Sequence, residues 1–190
     1  MMTQPQAFIT AELRDAAPAN RFGLDGVDHV GLPSRDPDVS AAFVEEILGG
    51  IECSRFGYDE GDRALNRMRH IFYHVGPQLL EVAEERDPAA HPDPSRRYSN
   101  PHVAFRVSVE ALAAFMQHLE REGVPFNGPR THSGVSGVSV YFQDPNGNHL
   151  EVTTWDPIPP GLLETTPTGG KFGFVPWPEL VHDWRPGRTH

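Results

Sequence analysis

Residues 141–152 read YFQDPNGNHLEV. The central Asp144-Pro145-Asn146-Gly147 has the composition of a tight turn, in which Asp and Asn bond the local backbone and Gly supplies positive φ. The residues on either side are strand-like, so the stretch predicts two strands joined by that turn. Its last three positions, Leu150-Glu151-Val152, alternate apolar, polar, apolar. In a strand that pattern sends Glu151 to the face opposite its neighbours.

Working outward, the same tripeptide stands at Leu80-Glu81-Val82, and two further matches keep the same order. His29-Val30 matches His102-Val103, and Ala41-Ala42-Phe43 matches Ala113-Ala114-Phe115. From His29, Ala41 and Leu80 to their partners the offsets are 73, 72 and 70 residues. Three matches in register mark an internal repeat. In each copy a strand precedes a helix and three more strands. In the first copy, strand 24–33 leads to a helix capped by Asp36-Pro37, with Val39, Phe43 and Ile47 at helical spacing and Gly49-Gly50 as its stop. Strands near 51–58, 70–75 and 78–83 follow. In the second copy, strand 101–107 leads to a helix capped by Ser108, carrying Leu112, Phe115 and Leu119 and stopped at Gly123. Strands near 125–130, 135–143 and 149–154 follow.

The expected fold class is therefore α+β: two tandem βαβββ modules, whose curved sheets surround a cleft. The chain divides into an extension (1–23), a domain (24–155) and a tail (156–190). Within the domain, module one is 24–85, a polar linker is 86–99 and module two is 100–155. The tail is rich in Pro and Gly yet carries Phe172, Phe174, Trp177 and Trp184, which are costly to leave in water, so it is expected to pack on the domain or on a partner.

Composition narrows the function. With 190 residues, 38% hydrophobic and 22% charged, the chain is long enough for a real core. A net charge of −10, from 26 acids against 16 bases, argues against nucleic acid and anionic membrane as partners. No apolar run reaches the length of a membrane span, and the N-terminus lacks a signal-peptide pattern, so a cytoplasmic location is expected. A single cysteine, Cys53, excludes an internal disulfide and a multi-Cys zinc site. Histidines are plentiful, at ten.

Each module places a His on its first strand and a Glu on its last. If the modules pair about a pseudo-twofold axis, His29, Glu81, His102 and Glu151 converge on one centre. Two His and one carboxylate suit a non-haem Fe(II) oxygenase, whereas two His and two carboxylates suit a Ni, Co, Mn or Zn Lewis-acid site.

On His29-Val30, Ser40 to Phe43 with Leu48-Gly49, Pro101-His102-Val103 and residues 141–152, the sequence resembles the vicinal oxygen chelate superfamily. That superfamily includes glyoxalase I, extradiol dioxygenases, fosfomycin-resistance transferases, epimerases and metal-free bleomycin-binding proteins. The resemblance covers about residues 24–155. Its dioxygenase branch is matched by His132, Val140-Tyr141, Asp144-Pro145-Asn146-Gly147 and Glu151, with Arg130 departing from the usual small or apolar residue. It implies His29, His102 and Glu151 as iron ligands, His132 and Tyr141 beside the substrate, and His91 as the one candidate for an acid–base histidine in the linker. The expected activity is oxidative cleavage of a catechol-like or other vicinal-oxygen substrate at Fe(II), by a homodimer.

The order and separation of His29, Glu81, His102 and Glu151 also resemble the ligand order of bacterial glyoxalase I. The alternative is thus a lyase or isomerase using Mn, Ni, Co or Zn with Glu81 as ligand or base. Asn127, Arg130 and Lys171 are candidates for holding an anionic substrate group. A metal-free binding or resistance protein is the third class, against which intact His29, His102 and Glu151 count. No phosphate loop, serine nucleophile motif or Rossmann fingerprint is present.

Overall fold

The computed structural model describes residues 11–15, 21–22, 26–93, 101–132, 135–162 and 180–187. A short helix, α1 (Ala11–Asp15), precedes the repeat. Module one consists of β1 (His29–Ser34), α2 (Pro37–Glu46), β2 (Ile51–Phe56), α3 (Glu60–Ala64), β3 (His70–Val75) and β4 (Gln78–Glu84). Module two consists of β5 (His102–Arg106), α4 (Val109–Arg121), β6 (Phe126–His132), β7 (Val135–Gln143) and β8 (His149–Thr154). The two four-stranded sheets share one topology, β1-β4-β3-β2 and β5-β8-β7-β6, with the first pair parallel and the rest antiparallel. These are the tandem βαβββ modules that the repeat predicts.

The helices start where their caps stand. The Asp36 carboxylate accepts from the N–H groups of Asp38 and Val39, with Pro37 in the first turn. Ser108 Oγ accepts from Ala111 N at 3.2 Å. Three sequence expectations shift. β1 begins at His29 rather than at 24, because Val27 stays exposed outside the sheet. The buried stripe of α4 runs Leu112, Met116 and Leu119, leaving Phe115 half-buried. The third is α3, where the sequence predicts only a gap between strands; none of its five residues is buried, so no apolar period marks it.

One core serves both modules. Phe43, Ile71, Tyr73, Leu80 and Val82 join Leu112, Leu119, Val140, Phe142, Leu150 and Val152 in a single buried cluster. Strand alternation then turns Glu81 and Glu151 away from that core, to the opposite face of each sheet.

The turn after β7 clasps the modules together. Asp144 Oδ1 accepts from the N–H groups of Asn146 and Asn148, both at 2.8 Å, which shapes the turn. Asn146 Oδ1 accepts from Arg35 N at 2.9 Å, while its Nδ2 donates to Ser40 Oγ at 2.7 Å. Asn148 Nδ2 donates to the Pro33 carbonyl at 3.0 Å. The three partners lie at the end of β1 and the start of α2.

Beyond β8, part of the tail docks. Leu180 is fully buried against Tyr141, and Trp184 packs into the main core. His182 Nε2 donates to the Gln143 carbonyl at 2.8 Å, and its ring stacks on Phe43. Phe172, Phe174, Trp177 and Lys171 lie outside the described residues. Among the described residues, no helix is long and apolar enough to cross a membrane.

Candidate metal centre

The exposed face of sheet one carries His29, His70, Phe72 and Glu81. His29 opens β1, and its Nδ1 bonds Asp28 Oδ1 at 2.8 Å. That bond raises the pKa of the ring. In the neutral ring it also fixes the proton on Nδ1 and leaves the Nε2 lone pair facing outward, as metal ligation requires. His29 Nε2 lies 4.0 Å from Glu81 Oε2. β1 presents Gly31 directly opposite Glu81, and a Cβ there would lie 3.2 Å from Oε2. The missing side chain lets the carboxylate lean over β1 toward His29. Glu81 Oε1 meets His70 Nδ1 at 2.6 Å. Phe72 lies edge-on to both His29 and Phe56, which sets an aromatic patch beside the His–Glu pair.

Sheet two repeats the arrangement with different supports. His102 Nε2 lies 2.9 Å from Glu151 Oε2. Glu151 Oε1 accepts from Ser139 Oγ at 2.5 Å. Tyr141 stands beside His102 with ring centroids 6.3 Å apart, and the Arg130 guanidinium lies 5.9 Å from the Tyr141 ring centre. Toward the turn, His149 is buried beside Gln143, and burial followed by the nearby His102 pushes its pKa down.

The two faces differ in cover. Side-chain exposure is 46% for His29 and 38% for His102, so both imidazoles are reachable. Yet Gln143 and Asn127, on the same face as Glu151, are wholly buried, and Leu180 closes over Tyr141 beside them. One end of the sheet-two face is walled in while its His102 end stays open.

The donor chemistry fits a divalent first-row cation: imidazole nitrogens and carboxylate oxygens, each carboxylate anchored through its other oxygen. The four expected ligands, however, stand as two pairs. Among the described residues, no group of three His, Cys, Asp or Glu side chains in one chain is spaced to hold an ion. His91 bonds the Glu85 carbonyl through Nε2 at 3.0 Å, just after the 3-10 turn Pro88–Ala90. Its neighbours Ala90 and Pro92 line a cavity of about 370 Å³ with His102 and His149. His132 ends β6, and its side chain lies outside the described set.

Sequence reasoning missed Asp28, His70 and Ser139. Asp28 adjoins His29 in sequence. His70 and Ser139 each stand two residues before Phe72 and Tyr141, the residues paired in register with Glu81 and Glu151. The two positions correspond between the modules but hold different residue types, so the repeat does not flag them.

The pattern of the Glyoxalase/Bleomycin resistance protein/Dioxygenase superfamily matches residues 26–152. The chain belongs to this superfamily. Among curated members, the fosfomycin resistance protein FosX of Listeria monocytogenes is 24% identical over 127 residues, covering 67% of this chain and 86% of FosX. The metallothiol transferase FosB of Shouchella clausii is 29% identical over 119 residues, covering 57% and 82%. Among solved structures, a point mutant of FosX from Listeria monocytogenes, complexed with Mn(II) and 1S,2S-dihydroxypropylphosphonic acid, superposes with a TM-score of 0.55. It is 21% identical and covers 68% of this chain and 91% of its own. Superfamily membership and the tandem-module fold agree with the sequence reading. The iron–dioxygen branch gains no support from these relatives, whose names and ligands speak of resistance, thiol transfer and manganese.

Proposed function

We propose that this chain is a divalent-metal enzyme acting on a small molecule through two adjacent oxygens, with Lewis-acid rather than dioxygen chemistry. The observation that carries the reading is the matched pairing of His29 with Glu81 and His102 with Glu151 on the polar faces of twin sheets. Together they would supply two imidazoles and two carboxylates. Such a set suits Mn, Ni, Co or Zn, and leaves positions for a chelating substrate. When bound, the metal would polarise the substrate oxygens and stabilise charge developing on them.

The chain's own residues do the rest. Asp28 keeps the lone pair of His29 on Nε2, and Ser139 holds Glu151 in place. Tyr141, with the Arg130 guanidinium near its ring, stands beside His102 and forms the walled side of the site on sheet two. Phe56 and Phe72 offer an apolar wall on sheet one. Because each chain holds two half-shells, we place the complete centre between two copies, sheet one of one protomer facing sheet two of the other. The exposed Phe56 and Ile51 on module one supply apolar surface for that contact.

Substrate chemistry follows the relatives at the level of class: addition of water or a thiol to a small oxygenated, anionic molecule such as fosfomycin. Extradiol cleavage is the second reading. The Tyr141–His102 contact favours it, because a phenol beside a metal histidine can bond a catecholate. The test is metal content of anaerobically purified protein together with two assays. Manganese, nickel, cobalt or zinc with turnover of fosfomycin, by water or by a thiol, supports the proposal. Iron with catechol-dependent oxygen uptake overturns it in favour of the second reading.

A further inference from the structure

The two carboxylates at the heart of the site are held differently. Ser139 reaches Glu151 from the strand position diagonal to it, and His70 reaches Glu81 from the equivalent position in module one. A serine hydroxyl rotates freely and occupies little space. An imidazole is planar, and its two nitrogens lie in fixed directions. His70 is the first residue of β3 and alternates with Phe72 onto the exposed face. Its Nδ1 sits 2.6 Å from Oε1 of a carboxylate whose side chain is only 16% exposed.

This geometry decides which oxygen Glu81 can offer. Oε1 is engaged by His70. Oε2 lies over Gly31, 4.0 Å from His29 Nε2, on the side where the first module's metal donor stands. A carboxylate pinned in this way meets a cation through one oxygen in a fixed direction, and cannot swing to bind through both.

We propose that His70 is the positioning residue of Glu81, making Glu81 a one-oxygen metal ligand aligned with His29. The inference rests on the metal reading above and adds a residue to it. Hydrogen-bond partners of ligating groups typically change metal affinity by about 10–100-fold when removed. The cost here arises because a released Glu81 must be reordered each time the metal binds.

The experiment uses full-length protein and Mn(II) alone as probe. Affinity is measured by calorimetry, and the Mn(II) electron paramagnetic resonance spectrum is recorded for wild type, His70→Ala, His70→Gln, Glu81→Gln and the double variant His70→Ala/Glu81→Gln. His70→Ala is expected to weaken Mn(II) about 10–100-fold and to alter the spectrum. His70→Gln, which retains a side-chain donor, should recover most of the affinity. In the Glu81→Gln background, His70→Ala should have no further effect, since it acts through Glu81. The cycle compares variants sharing the same first change, so a general loss of folding would show as an undiminished His70→Ala effect in both backgrounds and overturn the proposal. Wild-type affinity in His70→Ala, or in Glu81→Gln, also overturns it while leaving the metal centre standing. His102→Ala is measured alongside, and Mn(II) retained by it strikes instead at the metal reading itself.

Discussion

Trp184 packs edge-on against Phe43, with ring centroids 5.3 Å apart and planes at 84°. Phe43 is the central buried residue of α2, so a residue near the C-terminus completes the core of the first module. Trp184→Ala should therefore cost about 3–5 kcal/mol, the range for emptying a buried aromatic site. Chemical denaturation with an unchanged slope would measure it. A loss under about 0.5 kcal/mol, typical of surface positions, would mean that the tail only rests on the domain.

The docked tail should also loosen in acid. Burial holds the pKa of His182 below its ordinary value, against the opposing pull of the Gln143 carbonyl. A histidine kept neutral by folding contributes stability above its unfolded pKa of about 6.5 and loses it as pH falls through the lower folded value. Trp184 emission should consequently shift to the red as the pH falls below the ordinary histidine value of about 6.5. His182→Gln keeps an N–H donor for the carbonyl and removes the titration, so that shift should vanish. Buried His149 has the same sign, and its protonation lowers global stability without being reported by Trp184 alone. A shift that persists unchanged in His182→Gln would refute the assignment.

Metal binding should depend on all three residues His29, His102 and Glu151. Alanine at any one is expected to abolish stoichiometric Mn(II) binding while the melting temperature changes little, because all three side chains point away from the shared core. Equilibrium dialysis and calorimetric melting together check this. A full equivalent of bound metal in the Glu151→Ala protein would remove that residue from the shell.

Pairing between copies makes a sharper expectation. His29→Ala damages sheet one only, and Glu151→Ala damages sheet two only. Mixed after subunit exchange, the two inactive proteins should form hybrid pairs in which one centre has intact residues from both sides. Metal binding should reappear in the mixture. If it does not, although exchange is shown by mass spectrometry, the shell closes within one chain.

How much of this is legible in the sequence follows from what each residue's role depends on. β3, β7 and β8 are readable to the residue, and so are both major helix starts, because alternation and capping are local patterns. Glu81 and Glu151 are legible because flanking Leu and Val force them to the other face. α3 is not, since it buries nothing. His70 and Ser139 are invisible for another reason: their meaning lies in a diagonal cross-strand contact, which exists only once register is set. The tail shows a mixed case. Aromatic content announces that it will dock, but that Leu180 is the residue to cover Tyr141 depends on the path of the chain. The repeat suggests that pairing of the modules brings four donor side chains together; within one chain they stand as two separate His–Glu pairs.

The clasp made by Asn146 and Asn148 carries a consequence for how the molecule assembles in time. Its bonds to Ser40, Arg35 and Pro33 join residues 106 to 115 positions apart, whereas each sheet closes on strands of its own module. Long-range contacts are reached late, after the loop-closure entropy of the intervening chain has been met. Each module should thus gain its sheet before the two dock, and the segment joining β4 to β5 serves chiefly to raise the local concentration of one half near the other. Co-expressed as two separate polypeptides cut in that segment, the halves should find each other and refold into one particle, and Asn146→Ala should weaken that reunion far more than it weakens the intact chain.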